Sequence, residues 1–384
     1  MLHRFKDYIQ QQHLFSQGEE VLLAVSGGRD SVCMAHLFQQ TAIPFAVAHC
    51  NFHLRPGDCD RDQQFVRTLA DSMSVPFFTI DFDTRSQARE HDESLEEAAR
   101  RLRYEWFASI CHSQGFHAVA TAHHRDDSIE TFFLNLFRGT GIAGLHGIRP
   151  LSKISIKDFD LRIIHPLLPF SRAEIDTYVK EHSLPYVEDA TNSELDARRN
   201  QIRHRLIPLL RELYPSVDAT MAANIERLHD TELLYRAYIE QLRLQMVKHY
   251  PSDLLNLTFK ILYIDLPLLQ HQFPISNHQF SVLFELLHPY GFNATNVGDI
   301  LTVKENGKMF YSPTHVAELH RGLLLVAPNT PPSAGRHPQP GDRIRTSSGT
   351  RLLSDYLKDE GFSRIERGHL LLNVTPDGFV TFNS

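Results

Sequence analysis

Short apolar runs alternate with segments of helical period through the first half of the chain. Val21–Val25 is wholly apolar, the pattern of a parallel strand buried on both faces. After a Ser-Gly-Gly turn, Val32, Met34, Ala35, Leu37 and Phe38 recur at helical spacing, and Phe45–His49 reads as a second strand. Asp60–Met73 predicts a helix with Phe65, Val66, Leu69, Ala70 and Met73 turned inward, and Phe77–Ile80 a third strand. Ser94-Leu-Glu-Glu97 is a capping box opening a helix to about Cys111. Ala118–Ala122 is a fourth strand, followed by a helix from about Asp126 to Phe137. Ile163 and Ile164 mark a fifth strand, and Ser171-Arg-Ala-Glu174 caps another helix.

Strands alternating with helices specify an α/β fold, a parallel sheet covered on both faces, over roughly residues 15–185. The rhythm then changes. Asn200–Leu213 and Val217–His249 read as helices, the second long and amphipathic, and a mixed region runs to about Ala327. Pro328-Asn-Thr-Pro-Pro-Ser-Ala-Gly335 marks a linker. The division is therefore 1–215, a helical and mixed domain 216–327, a linker 328–338, and a small α+β module 339–384. No internal repeat interrupts it.

In an open parallel sheet, ligands bind beyond the carboxyl ends of the strands. Ser26-Gly-Gly-Arg-Asp-Ser31 stands there, after the first strand. Gly27 and Gly28 let backbone N–H groups turn towards an anion, Ser26 and Ser31 add hydroxyls, and the next helix points its positive end at the same spot. Asp30 would repel phosphate unless Mg²⁺ or an ammonium group lay between, so the loop reads as a metal-bound or cation-presenting phosphate site, with Asp30 the candidate Mg²⁺ ligand. The bland alternative is a tight turn capped by Asp30 or Ser31; the whole six-residue string in this position favours the phosphate grip. No Gly-x-x-x-x-Gly-Lys-Ser/Thr string exists, which disfavours γ-phosphate transfer of the kinase or GTPase kind.

Composition narrows the partners. A length of 384 residues suits two or three domains. No apolar run approaches the roughly 20 residues needed to span a bilayer, and the polar, amphipathic start points to the cytoplasm. With a net charge of −7, any nucleic-acid binding must use local basic patches. Cys33, Cys50, Cys59 and Cys111 include no Cys-x-x-Cys pair, so neither a disulfide framework nor a four-cysteine metal site is expected. The histidines are scattered, and none forms a His-Glu-x-x-His helix.

The loop string resembles that of the PP-loop ATP pyrophosphatase superfamily, of adenine nucleotide alpha hydrolase-like fold, whose members cleave ATP between its α and β phosphates and adenylate a carbonyl-type oxygen. Further strings narrow the match: Cys50-Asn-Phe-His-Leu-Arg55 with Asp60-Arg-Asp62, Glu97-Ala-Ala-Arg-Arg-Leu-Arg-Tyr104, and Ala122-His-His-Arg-Asp-Asp-Ser-Ile-Glu-Thr131 with Arg138-Gly-Thr-Gly141. His165-Pro-Leu-Leu168, Asp189-Ala-Thr-Asn192 and Arg199-Asn-Gln-Ile-Arg-His204 complete them. Together they resemble the tRNA(Ile)-lysidine synthetase family over nearly all of 18–215, and more loosely to the end. The resemblance implies ATP as substrate with Mg²⁺, and as partners L-lysine and the isoleucine tRNA with a CAU anticodon. ATP would adenylate the C2 oxygen of the wobble cytidine, and the lysine ε-amine would displace AMP. It implies tRNA contacts from 216–327 and 339–384, the latter expected to be incomplete because it stops before a closing strand, and it allows a homodimer.

Lysine brings two ammonium groups and one carboxylate, so its site needs carboxylates, one of them accepting a proton. Asp127 and Glu130, three apart at a helix start, share a face on the edge that carries the loop. The resemblance assigns them lysine recognition and amine activation, while Asp126 reads as the helix N-cap. His123, at a strand end, is either catalytic or a packed core residue. Arg103 is a candidate to stabilise charge on the α-phosphate, against the alternative of a solvated face shared with Arg100 and Arg101. Arg198, Arg199, Arg203, His204, Arg205 and Arg211 form the densest basic stretch. Arg199, Asn200, Arg203 and His204 are its candidates for the tRNA, with a solvated helix as the alternative. Arg343, Arg345, Arg351, Arg364 and Arg367 give the terminal module a basic cast. Arg29 stands where a smaller residue is expected in the nucleotide loop; it either points away or adds a phosphate contact. The main rival, a PP-loop tRNA thiolation enzyme, would bring catalytic or cluster-binding cysteines. An ammonia-using ligase would leave the basic helix unexplained, and a non-catalytic RNA module would not keep the loop and carboxylates intact.

Overall fold

The computed structural model describes residues 1–16, 18–41, 43–53, 58–156, 159–187, 197–249, 261–330, 336–347 and 349–382. Arg55, the Asp189–Asn192 string and residues 331–335 of the expected linker lie outside them. The chain divides into two compact units, Met1–Glu232 and Leu233–Ser384.

The first unit runs α1 (Leu2–Gln11), β1 (Val21–Ala24), α2 (Arg29–Gln39), β2 (Phe45–Asn51), α3 (Asp58–Met73), β3 (Phe77–Asp81), α4 (Thr84–Glu90), α5 (Leu95–Gln114), β4 (Ala118–Ala120), α6 (Arg125–Arg138), β5 (Leu151–Ile156), β6 (Phe159–Ile164) and α7 (Arg172–Glu181). Strands lie in the order β3-β2-β1-β4-β6-β5, all parallel except β5, which runs antiparallel to β6. Side chains alternate across the sheet, so Val21 and Leu23 enter the core beneath α2 and α7 while Leu22 enters the one formed by Tyr104, Phe107 and Cys111 of α5. From β1 the chain winds outward through β2 and β3, then returns to lay β4 on the other side of β1. The connections leaving the carboxyl ends of β1 and β4 therefore diverge and open a crevice between them.

Several elements depart from the sequence reading, among them the unanticipated α4. Strand β5 was not expected; its Ser-Lys-Ile-Ser-Ile alternation makes a polar-edged strand at the end of the sheet. The helix expected over Asn200–Leu213 is divided into α8 (Ala197–Gln201), a π-helical stretch Ile202–Leu206 and α9 (Ile207–Leu213). Pro208 in the first turn of α9 has no N–H to donate and crowds the carbonyl four residues back, and the backbone widens before it. The long helix α10 spans Val217–Met246, after which Val247–His249 is strand β7. The boundary between the units falls inside α10, after Glu232.

The second unit continues with β8 (Leu262–Asp265), α11 (Leu266–Gln272), α12 (Ser276–Leu287), α13 (Ala294–Thr302), β9 (Met309–Tyr311), β10 (His315–His320) and β11 (Leu323–Pro328). Its sheet is antiparallel in the order β7-β8-β11-β10-β9, with Leu283, Leu286, Val297, Leu324 and Val326 in the core beside it. The terminal portion holds the hairpin β12 (Arg343–Thr346) and β13 (Gly349–Leu352), helices α14 (Leu353–Asp359) and α15 (Arg364–His369), and the pair β14 (Leu372–Val374) and β15 (Val380–Phe382).

Candidate active site

The loop after β1 is built to present backbone to a ligand. Gly27 has φ +93°, which L side chains rarely adopt, and an added Cβ would meet Val66 at 3.3 Å. Its carbonyl accepts from Val187 N at 2.9 Å, which pins the turn from behind. Ser26 Oγ lies 3.3 Å from Gly28 N and 3.2 Å from Ser31 Oγ, and Ser31 Oγ donates to Gly28 O at 2.8 Å. Both hydroxyls thus sit at the start of α2, with the helix dipole behind them. His49 at the end of β2 bonds Val25 O through Nδ1 at 2.8 Å and fixes the strand end from which the loop springs.

Asp30 does not face the loop unbalanced. Both its oxygens accept from Arg172 Nη1, at 2.8 and 2.6 Å. Burial pushes its carboxyl above the usual range, against the pull of His124 and Arg172. The backbone N–H of the same Arg172 donates to Asp126 at 2.9 Å, so this first residue of α7 ties together the starts of α2, α6 and α7. The cation beside Asp30 is therefore a guanidinium. No group of three or more His, Cys, Asp or Glu among the described residues is arranged to hold a metal by protein ligands alone, so a Mg²⁺ beside Asp30 would take most of its ligands from phosphate and water. Asp126 is likewise not the N-cap of α6, which is His124; it is spent on α7 and on Arg211, 2.8 Å away.

Arg29 borders the cavity over the β1/β4 crevice, but its guanidinium is engaged by protein partners. Its Nη1 lies 2.5 Å from Asp176 of α7 and its guanidinium stacks 4.8 Å from the Tyr186 ring centre. Asp176 holds it firmly protonated.

A cavity of about 510 Å³ opens over the crevice, within the size range of small-molecule sites. It is lined by Ser26, Gly28, Asp30 and Ser31 at one side, by Ala48, Cys50, Phe52 and Phe107 at an apolar end, and by Arg103, His123 and Asp127. Arg103 sits 5.1 Å over the Phe52 ring. His123 Nδ1 is 2.9 Å from Thr121 Oγ1, and its ring packs 5.1 Å from that of His165. Burial holds both imidazoles below their ordinary pKa, His165 at about 3, so this pair is neutral at physiological pH.

The carboxylate pair lies one helical turn into α6. Asp127 Oδ2 accepts from His124 N at 3.0 Å. Glu130 is 1% exposed and takes Arg199 Nε at 2.8 Å and Arg203 Nε at 2.6 Å, while the same guanidinium groups approach Asp127 Oδ1 at 3.5 and 3.3 Å. Burial would raise the Asp127 carboxyl, but His124, His123, the capping N–H and Arg199 together draw it below the usual range. Arg199 and Arg203, expected from the sequence to face RNA phosphates, thus turn inward onto the carboxylates that the sequence reading set aside for lysine. Asn200 is half-buried, and His204 is exposed.

Cys50 is the cysteine that lines the cavity, and burial pushes its thiol up to about 12, as it does those of Cys33 and Cys111. Thiols held protonated in this way are poor nucleophiles, which disfavours a thiolation chemistry built on these three cysteines. Sequence reasoning missed Arg172, Tyr186 and the apolar end. Arg172 had one legible signal: a cation at the positive end of a helix is unfavourable unless a carboxylate waits opposite.

Residues 1–210 match the family model of a PP-loop domain, and residues 261–329 that of a TilS substrate binding domain. The chain is 39% identical over 328 residues to a tRNA(Ile)-lysidine synthase of Parabacteroides distasonis, covering 85% of this chain and 70% of that protein. It is 37% identical over 321 residues to a tRNA(Ile)-lysidine synthase of Bacteroides thetaiotaomicron, covering 83% and 70%. A solved U34-tRNA thiolase of Methanococcus maripaludis shares 16% identity at a TM-score of 0.49, over 59% of this chain and 77% of that one, too little to bear on activity.

Proposed function

This chain belongs to the tRNA(Ile)-lysidine synthase family, and on that premise we propose that it joins L-lysine to the wobble cytidine of the isoleucine tRNA with a CAU anticodon, using ATP. The observation that carries the reading is one cavity holding both the Ser26–Ser31 loop and, across the β1/β4 crevice, His123 and Asp127.

In this reading the adenine lies at the apolar end beside Phe52 and Phe107, and the β- and γ-phosphates rest on the loop hydroxyls and N–H groups. Arg103 faces the α-phosphate. The cytidine C2 oxygen attacks the α-phosphorus and pyrophosphate leaves; the loop and Arg103 stabilise the charge that builds up. The lysine ε-amine then adds at C2, AMP departs with the oxygen, and one amine proton is lost. Asp127 and Glu130 hold the ammonium group before its deprotonation. The two carboxylates and two guanidinium groups of this cluster complement a zwitterion, since lysine can give its carboxylate to Arg199 or Arg203 and its ε-ammonium to Asp127. Neutral His123 lines the same cavity as Asp127 and is the candidate to take the proton. Asp30 acts through Arg172, keeping the loop close to neutral towards phosphate.

The test is incubation with ATP, radiolabelled lysine and a panel of tRNA transcripts. Label entering only the CAU isoleucine tRNA, with one AMP formed per lysine, supports the reading. ATP cleavage with no label in any tRNA sinks it.

A further inference from the structure

The arginine-rich stretch has a second face. Arg199 and Arg203 are turned onto Asp127 and Glu130, whereas Arg198 and Arg205 border a separate groove of about 570 Å³ between α6 and the segment from α8 to α9. Its floor is apolar, with Leu134 buried, Phe137 65% exposed and Leu209 51% exposed. Arg138 closes the rim, and no acidic residue lines the groove. Arg138, Arg198 and Arg205 are exposed, and none is in an ion pair with a described residue. The Phe137 ring is stacked on Phe133 at 6.0 Å, interplanar angle 25°, which backs it on one side and leaves it 65% exposed.

On a chain of net charge −7, three uncompensated guanidinium groups around an aromatic floor select an anionic, flat-faced partner. The groove is also near the chemistry. Arg138 follows Glu130 by eight residues on one helix, a rise of about 12 Å. We propose that this groove seats an unpaired base of the same RNA loop whose cytidine reacts, stacked on Phe137 with its flanking phosphates on Arg138, Arg198 and Arg205. This rests on the reading above that an anticodon loop reaches the site. The groove then acts as a register stop: holding a neighbouring base fixes which nucleotide enters the cavity.

The experiment uses the full chain and CAU anticodon-loop hairpins, each with a fluorescent adenine analogue at one unpaired position other than the reacting cytidine. One of these positions is expected to be quenched on binding, and Phe137→Ala to abolish that quenching while weakening binding about tenfold. Phe137→Trp retains the quenching, and the exposure of the ring leaves the fold of both variants intact. Arg198→Ala and Arg205→Ala each make the dependence of log affinity on log salt shallower by about 0.7. Quenching that ignores Phe137→Ala, or binding without quenching at any position, overturns the proposal. So does sedimentation showing that Phe137→Ala dissolves a dimer, since a second copy would then own the groove. Lysine incorporation is scored separately: Phe137-dependent quenching without incorporation overturns the reaction and leaves the groove standing.

Discussion

Glu130 in the first unit and Glu318 in the second are each 1% exposed, yet they are held in different ways. Glu318 on β10 accepts the backbone N–H groups of Arg364 and Ile365, at 3.1 and 2.9 Å, and so caps the start of α15. Those donors belong to the main chain and cannot leave without unwinding the helix. Glu130 is satisfied by two arginine side chains, Arg199 and Arg203, both partly open to solvent. A guanidinium on a flexible stem can swing out and yield its place to another cation; a helix N-terminus cannot. Burial alone therefore does not say which carboxylate can exchange its partner; on the proposed reading, it is the side-chain partners of Glu130 that let it take a ligand's cation.

The sharpest way to break this distinction is at Asp127, which shares the arginines of Glu130. Asp127→Asn keeps the shape and removes the charge, and should lower lysine incorporation by about 10³-fold with the melting transition still cooperative. Near-normal turnover in that variant would refute the role of the pair. Glu318→Gln is the counterpart. It weakens two charge-assisted bonds at a buried helix start, so we expect about 2 kcal/mol of destabilisation by denaturant titration. ATP binding to the first unit should be unchanged, and a loss of ATP affinity there would erase the contrast.

Asp30 and Asp127 sharpen the comparison through pH, because their shifts have opposite signs. Asp127, held low, contributes stability above its unfolded pKa that is lost as pH falls through the folded value. Asp30, held high by burial, binds more proton folded than unfolded in the interval above about pH 4, so its ionisation costs stability as pH rises. Asp30→Asn should therefore be more stable than the parent at pH 7 while losing ATP turnover, with the gain shrinking as the pH is lowered towards 4. Arg172 is left with Asp176 at 3.3 Å, so the substitution strands no charge. Melts across that range showing a constant or reversed difference would contradict the assignment.

How much of this was legible depended on the range over which each signal acts. The strands β1 to β4 and the capping boxes at Ser94 and Ser171 are local patterns, and the sequence reading matched them to within a few residues. The grouping of the loop residues, and of Asp127 with Glu130, was legible because each set stands close together on one element. The partner of Glu130 was not. Arg199 and Arg203 come from about seventy positions further along, and an arginine run near an expected RNA carries the same one-dimensional signature whether it faces a phosphate or a carboxylate. Arg172 is a similar case, since its meaning lies in three helix starts meeting. Phe107 and Tyr186 stand in no motif, and Phe52 lies in the Cys50–Arg55 string without any sign of its use; only the closing of the sheet makes the three line one cavity.

The smallest expected effect concerns the loop position that looked least regular. Arg29 lies inside the nucleotide string, yet its guanidinium is spent on Asp176 and the face of Tyr186. Asp176 is 42% exposed, so the pair is worth at most about 1 kcal/mol, with the cation–π contact adding a similar amount. If the phosphate grip consists of Ser26, Ser31 and the N–H groups of the glycines, Arg29→Ala should leave the KM for ATP within about threefold. Its cost should appear in the melting temperature instead, through the looser contact between α2 and α7. A tenfold rise in KM with an unchanged melt would place the guanidinium on the phosphates, and Arg29 would then join the side of the comparison whose partners exchange for a ligand.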